Sequence, residues 1–133
     1  MSSDNVDLMR GVYEAFGRGD IPAVIGAMDE NIAFNVPEVL PHAMTVNGRG
    51  DVGSFFEKLG ATWQDFDLQI EDFCASGERV CVIGRAGGKL DGAEASYGFV
   101  HSWIVRDGVC VRFDEYVDPS PEIVERAVQS SRS

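Results

Sequence analysis

Val6, Met9, Val12, Tyr13 and Phe16 recur at the three- and four-residue spacing of one helix face, which predicts an amphipathic helix from about Asn5 to Gly17, stopped at Gly17-Arg18-Gly19. Asp20 is placed to cap a second, short helix whose Ile21, Val24, Ile25 and Met28 share a face, with Pro22 tolerated in a first turn that needs no donor. A short strand, Ile32 to Pro37, follows. The segment from Glu38 to Gly50 has no clear period and reads as a long loop, in which His42 is expected to face solvent. From Asp51 a third helix turns Val52, Phe55, Phe56 and Leu59 inward and ends near Gly60. Beyond it the period changes to two. Phe66, Leu68 and Ile70 alternate, Ser76-Gly77 reads as a turn, Arg79 to Arg85 alternates again, and Gly87-Gly88 reads as a bend. Ser120-Pro121-Glu122 has the composition of a cap and first turn for a C-terminal helix through Ile123, Val124 and Ala127.

The stretch Phe99 to Pro119 reads as a β-hairpin around Asp107-Gly108. A plain two-residue turn would put Trp103 on one face with Arg112, mixing charged and apolar groups. A three-residue loop, Arg106-Asp107-Gly108, with Gly108 in a left-handed bulge, separates them. It gathers Phe99, His101, Trp103, Val105, Val109, Val111, Phe113, Glu115 and Val117 on one face. The other face carries Val100, Ile104, Cys110, Arg112, Asp114 and Tyr116. In this register His101 and Glu115 are diagonal cross-strand neighbours, roughly 7 Å apart at Cα, on an otherwise apolar face. Such a pair suits general acid–base chemistry; the bland alternative is a core histidine with its hydrogen bonds satisfied.

A chain of 133 residues with 44% hydrophobic and 25% charged residues suits a single domain, residues 1–133, with room for a core or for a core hollowed by a pocket. Net charge of −11 opposes nonspecific attraction to nucleic acid or anionic lipid, so neither is an expected partner. Cys74, Cys81 and Cys110 lie in apolar strand patterns without metal-ligand spacing, which points to free thiols and no metal site. The N-terminus lacks the pattern of a secretory signal, so a cytoplasmic location is expected. The interleaved apolar and charged residues around Val100, Ile104, Cys110 and Tyr116 suit a face covered by a second copy, so a homodimer is expected.

Helices followed by a run of antiparallel strands give an α+β order, in which the helices pack on one face of a sheet that, strongly curved, makes a cone. The motifs YEAFGRGD (Tyr13 to Asp20), MDENIAFNVP (Met28 to Pro37), GRGDV (Gly48 to Val52) and VHSWIVRDGVCVRFDEYVDP (Val100 to Pro119) resemble the nuclear transport factor 2-like superfamily. Within it the resemblance is to SnoaL-like polyketide cyclases, ketosteroid isomerases and limonene epoxide hydrolases. It implies a conical curved antiparallel sheet packed on three N-terminal helices, a cystatin-like α+β roll, binding a small hydrophobic, oxygenated molecule without a cofactor. By motif, Arg79, Asn35 and Glu115 match polar positions of the epoxide hydrolases, while Cys81 and Ala33 replace an acid and a tyrosine. Val36 and Val12 stand at the base and tyrosine of the isomerases, and Tyr13, one residue on, is expected to serve another helix face. Asp118 stands near the acid of the cyclases but is expected to cap the C-terminal segment. The expected catalytic set is therefore Glu115, His101, Arg79 and Asn35, with Trp63, Cys81, Tyr97, Phe99, Trp103, Phe113 and Val117 lining the pocket. Because this fold hosts several reactions and pure binding modules, a noncatalytic ligand-binding or dimerisation module is the competing expectation.

Overall fold

The computed structural model describes residues 2–132, with side chains from 4 to 129. Two helices, α1 (Ser2–Gly17) and α2 (Ile21–Gly26), lead into strand β1 (Met28–Val36) and a short β2 (Met44–Asn47). A single turn of 3-10 helix over Arg49–Asp51 then opens α3 (Val52–Thr62). Four long strands follow, β3 (Gln64–Ser76), β4 (Arg79–Leu90), β5 (Ala93–Arg106) and β6 (Val109–Pro119), and α4 (Pro121–Arg132) ends the chain. The strands form one curved, unclosed sheet in the order β2-β1-β6-β5-β4-β3, antiparallel except where β1 runs parallel to β6. That parallel junction brings the chain's first strand beside its last. No helix among the described residues is long and apolar enough to cross a membrane.

The helical periods act as read. Met9, Val12 and Ala15 of α1 and Val52, Phe55 and Leu59 of α3 are buried against the sheet. Asp20 caps α2 by accepting from the Ala23 N–H at 3.2 Å. At the base of the core Phe34 stacks on Phe113, with centroids 4.4 Å apart, and Phe113 meets Trp103 at 4.4 Å. Such aromatic contacts add about 0.5–1.5 kcal/mol each to the gain from burial.

Three local readings are corrected. The segment between Glu38 and Gly50 contains β2, whose Val46 pairs with Phe34; four residues are too few to show a period. Gly87-Gly88 is not a chain reversal, because β4 continues to Leu90 and turns at Asp91-Gly92, where both residues have positive φ. The glycines serve close approach instead. A Cβ on Gly84 would lie 2.2 Å from the Gln69 carbonyl oxygen, and one on Gly88 2.6 Å from that of Gln64, beside the irregularities where β3 bends over β4.

The hairpin between β5 and β6 keeps the expected segregation by another route. Asp107 and Gly108 both have positive φ, Arg106 pairs with Val109, and the turn is the two-residue form rather than a three-residue loop. The extra residue is Val111: Val105 pairs with Cys110 but Ile104 with Arg112, a bulge that restores Trp103 opposite Phe113. Cys110 consequently faces inward, fully buried against Met9, and not outward as the loop register required.

Gly84→Ala is expected to lower stability by about 1–3 kcal/mol because backbone must move to admit the methyl. Gly11→Ala, in open space on α1, should raise it by about 0.5–1 kcal/mol. Urea unfolding of the two variants checks both signs, and a Gly84→Ala protein as stable as the parent would refute the close-approach account.

Candidate functional site

Strands β5 and β6 place His101 directly opposite Glu115, closer than the diagonal expected from the sequence. His101 Nε2 lies 3.1 Å from Glu115 Oε2, and the two side chains are 10% and 4% exposed. Helix α1 supplies the next link, since the Tyr13 hydroxyl is 2.5 Å from His101 Nδ1. Trp103 Nε1, 3.0 Å away, donates to the same hydroxyl. The indole can only donate, so the Tyr13 oxygen accepts from it and passes its own proton to His101 Nδ1. Nδ1 is then an acceptor, Nε2 carries the imidazole proton, and that proton is donated to Glu115. In this arrangement the Tyr13 and His101 protons each have an acceptor. Burial pushes the Tyr13 phenol well above its ordinary value, opposed by the Trp103 hydrogen bond and reinforced by the Glu115 charge, so it remains a donor.

The imidazole is held on its faces as well. Phe99 stacks on it at 3.9 Å between centroids and 20° between planes, and Phe113 meets it edge-on at 5.1 Å. Among the described residues His101 is the hydrogen-bond partner of Glu115, and no lysine or arginine pairs with it. Both residues lie on the wall of a cavity of about 70 Å³, otherwise lined mainly by aromatic and aliphatic side chains, including Phe34, Phe55 and Leu59. The same cavity is reached by His42 and Tyr97. His42 is 1% exposed, its Nδ1 accepts from Trp63 Nε1 at 3.0 Å, and its Nε2 lies 3.4 Å from the Tyr97 hydroxyl. The expectation of a solvated loop histidine is thus overturned: Leu40 and His42 are tucked under the sheet, where Trp63 fixes the ring. Burial lowers the His42 pKa to about 4, against a smaller upward pull from Glu115. Among the described residues no three His, Cys, Asp or Glu side chains gather to hold a metal ion.

Residues 9–113 match the SnoaL-like domain family. The chain belongs to that family. No protein of curated function matches this SnoaL-like chain by sequence. Among solved structures, it is similar to a nuclear transport factor 2-like protein of unknown function from Burkholderia pseudomallei, at 27% identity and a TM-score of 0.81, over 99% of this chain and 97% of that one. TerC co-crystallised with polyporic acid is 23% identical with a TM-score of 0.79, over 94% and 98% of the two chains. A proposed polyketide cyclase from Xanthomonas campestris is 22% identical with a TM-score of 0.71, over 86% and 90%. The latter two likenesses speak for the fold.

The SnoaL-like fold brings together only part of the set expected from the sequence. Glu115 and His101 meet, and Tyr97, Trp103 and Phe113 line the cavity. Trp63 and Phe99 buttress His42 and His101 from behind, and Val117 pairs with Phe99 beyond the cavity wall. Asn35, Arg79 and Cys81 are not in the site. Strand alternation sends Phe34, Val80 and Val82 inward, so their neighbours point to the outer face. There Arg79 bonds the Ser102 hydroxyl, Cys81 sits opposite Cys74 and Ser102, and Asn35 donates to Asp114 at 2.9 Å. Burial resists ionisation of Asp114, but hydrogen bonds from Arg112 and Asn35 outweigh it and hold the carboxyl below its ordinary range. Asp118 is exposed, and the Ser120 hydroxyl takes the capping bond from the Ile123 N–H. Tyr13 and His42 are the residues the sequence reading missed. For Tyr13 the signal was present, since it shares the helix face of Met9 and Phe16; for His42 no local pattern exists.

Because folding lowers the His42 pKa from 6.5 to about 4, the unfolded chain binds more protons between those values, and stability falls as pH drops through that window. Between pH 7 and pH 5 the loss from this group should be about 2 kcal/mol. His42→Gln should flatten that slope in urea unfolding, whereas an unchanged slope would show that His42 titrates freely in the folded protein.

Proposed function

We propose that this protein binds a small, mainly apolar, oxygenated molecule and shifts a proton on it, with Glu115 as the acid–base group. The observation that supports this reading is the directed chain Trp103–Tyr13–His101–Glu115, which ends in a carboxyl group on the wall of an apolar cavity. One carboxyl oxygen takes the His101 hydrogen bond; the other has no protein donor among the described residues and is free to meet a ligand. It can accept a proton from a carbon or hydroxyl group of the ligand and return it at a second position. His101 steadies the carboxylate by one charge-assisted hydrogen bond, and Tyr13 holds the tautomer that makes this bond. Isomerisation, cyclisation and dehydration share this elementary step, and this chain's own residues suffice for it. Epoxide opening by the family route loses its support, because Arg79, Asn35 and Cys81 lie on the outer face. That TerC was crystallised with polyporic acid supports a small-molecule occupant for the same fold.

The cavity volume favours a second reading. At about 70 Å³ it is less than half the size of a cavity of about 150 Å³ that admits benzene, so a noncatalytic module with a nearly filled core is the competitor. Mass spectrometry of a copurifying small molecule, followed by turnover of that molecule, separates the two. Glu115→Gln retains an acceptor for His101 and should melt like the parent while turnover falls roughly a hundredfold or more. A variant that processes the identified molecule at the parental rate would eliminate Glu115 as the proton carrier and leave the binding module.

A homodimer formed through the outer sheet face belongs to the same proposal. Tyr116 is 60% exposed there, paired with half-buried Val100, and half-buried Ile104 lies on the same face farther along β5. Sedimentation at micromolar concentration should give a dimer, and Tyr116→Glu should shift it toward monomer. A parent protein that sediments only as a monomer would end this assignment.

A further inference from the structure

The cavity has a second polar cluster, and its hydrogen bonds also run in one direction. Trp63 Nε1 donates to His42 Nδ1, so that nitrogen has no proton of its own. An imidazolium would set an N–H against the indole N–H; the ring is therefore neutral and its proton lies on Nε2. Nε2 faces the Tyr97 hydroxyl at 3.4 Å, which makes the Tyr97 oxygen the acceptor. The phenolic proton of Tyr97 is left without an acceptor among the described residues, on a side chain 1% exposed that borders the cavity. The first chain of bonds ends in an acceptor, Glu115. The second ends in a donor.

We infer that Tyr97 donates a hydrogen bond to an acceptor oxygen on the ligand, so that the site selects apolar molecules bearing a carbonyl or ether oxygen in addition to the proton that Glu115 moves. This inference rests on the reading of the cavity as a ligand site. A buried O–H with no acceptor forgoes a hydrogen bond that it makes in water, which a ligand oxygen restores and a hydrocarbon does not. Tyr97 also stands where it can favour proton removal by Glu115: a hydrogen bond to a carbonyl acidifies the adjacent C–H and stabilises the oxyanion that follows. Burial, with the Glu115 charge adding to it, raises the Tyr97 pKa, which keeps the phenol protonated for this role.

The test uses the full chain and two compounds of nearly the same shape, cyclohexanone labelled with ¹³C at the carbonyl and methylenecyclohexane. Each is titrated into the parent and into Tyr97→Phe, with the indole signals of Trp63 and Trp103 as the reporter. The variant should bind cyclohexanone roughly five- to tenfold more weakly and methylenecyclohexane within about twofold of the parent. The carbonyl ¹³C signal of bound cyclohexanone should resemble that of the ketone in an alcohol in the parent, and in a hydrocarbon in the variant. Equal effects of the substitution on the two compounds would overturn the inference and leave the ligand site standing. If neither compound saturates the parent, the ligand-site reading fails and this inference fails with it. Should Tyr97→Phe not fold, the parent spectrum decides alone: a hydrocarbon-like carbonyl signal in the bound state refutes the donor.

Discussion

A carboxyl group on the inner surface of this sheet has to be satisfied without a cation, and the His101 N–H is what satisfies it. Burying an unpaired carboxylate costs several kcal/mol, more than a domain of this size can absorb casually against a total stability of about 5–15 kcal/mol. The bond to His101 therefore constrains its neighbours. It requires the proton on Nε2, and the neutral tautomer that has it there is favoured by a donor at Nδ1, which Tyr13 supplies from the inward face of α1. Tyr13 in turn is kept a donor because Trp103, on the same strand as His101, occupies its oxygen. Elements far apart in sequence are thus tied by one line of protons, and the aromatic packing of Phe99 and Phe113 against the imidazole holds its ring in place.

Much of the fold was legible because long periodic segments report their own geometry. The helix face from Met9 to Phe16 and the alternation of Phe99, His101, Trp103 and Val105 come from periods that few alternatives share. What escaped was short or set by contacts between strands. The strand Met44–Asn47 exists because Phe34 and Val36 offer an edge for it. Gly87 and Gly88 looked like a reversal, yet their lack of a side chain serves the approach of neighbouring backbone, and the reversal sits at Asp91-Gly92. The two Asp-Gly pairs carry the same signal, and only one was read.

The candidate site divides along the same line. His101 and Glu115 could be found because charge on an apolar face is conspicuous within a single hairpin. Arg79, Asn35 and Cys81 were assigned by motif position, and strand parity put them outside: Val80 and Val82 on β4 and Phe34 and Val36 on β1 point inward, so the residues beside them point to the other face. His42 was unreadable for a different reason. Its role is conferred by Trp63 and Tyr97, from distant parts of the chain, and nothing in Leu40-Pro41-His42-Ala43 announces either partner.

The bulge at Val111 determines which acid the protein keeps indoors. Asp114 and Glu115 are adjacent, so one of them must face the cavity and the other the sheet's outer surface. Were the same Asp107-Gly108 turn followed by an unbroken ladder, His101 would lie across from Asp114, Trp103 across from Arg112, and the guanidinium and carboxylate that now pair with each other outside would both be driven into the core. Loss of Val111 altogether would leave Glu115 where it is, since the remaining residues already match. The identity of the interior acid is thus a matter of register along one strand: whether Val111 stands out of the ladder or takes a place in it decides which side chain faces His101, so the chemistry of a pocket is set by one unpaired residue near the turn.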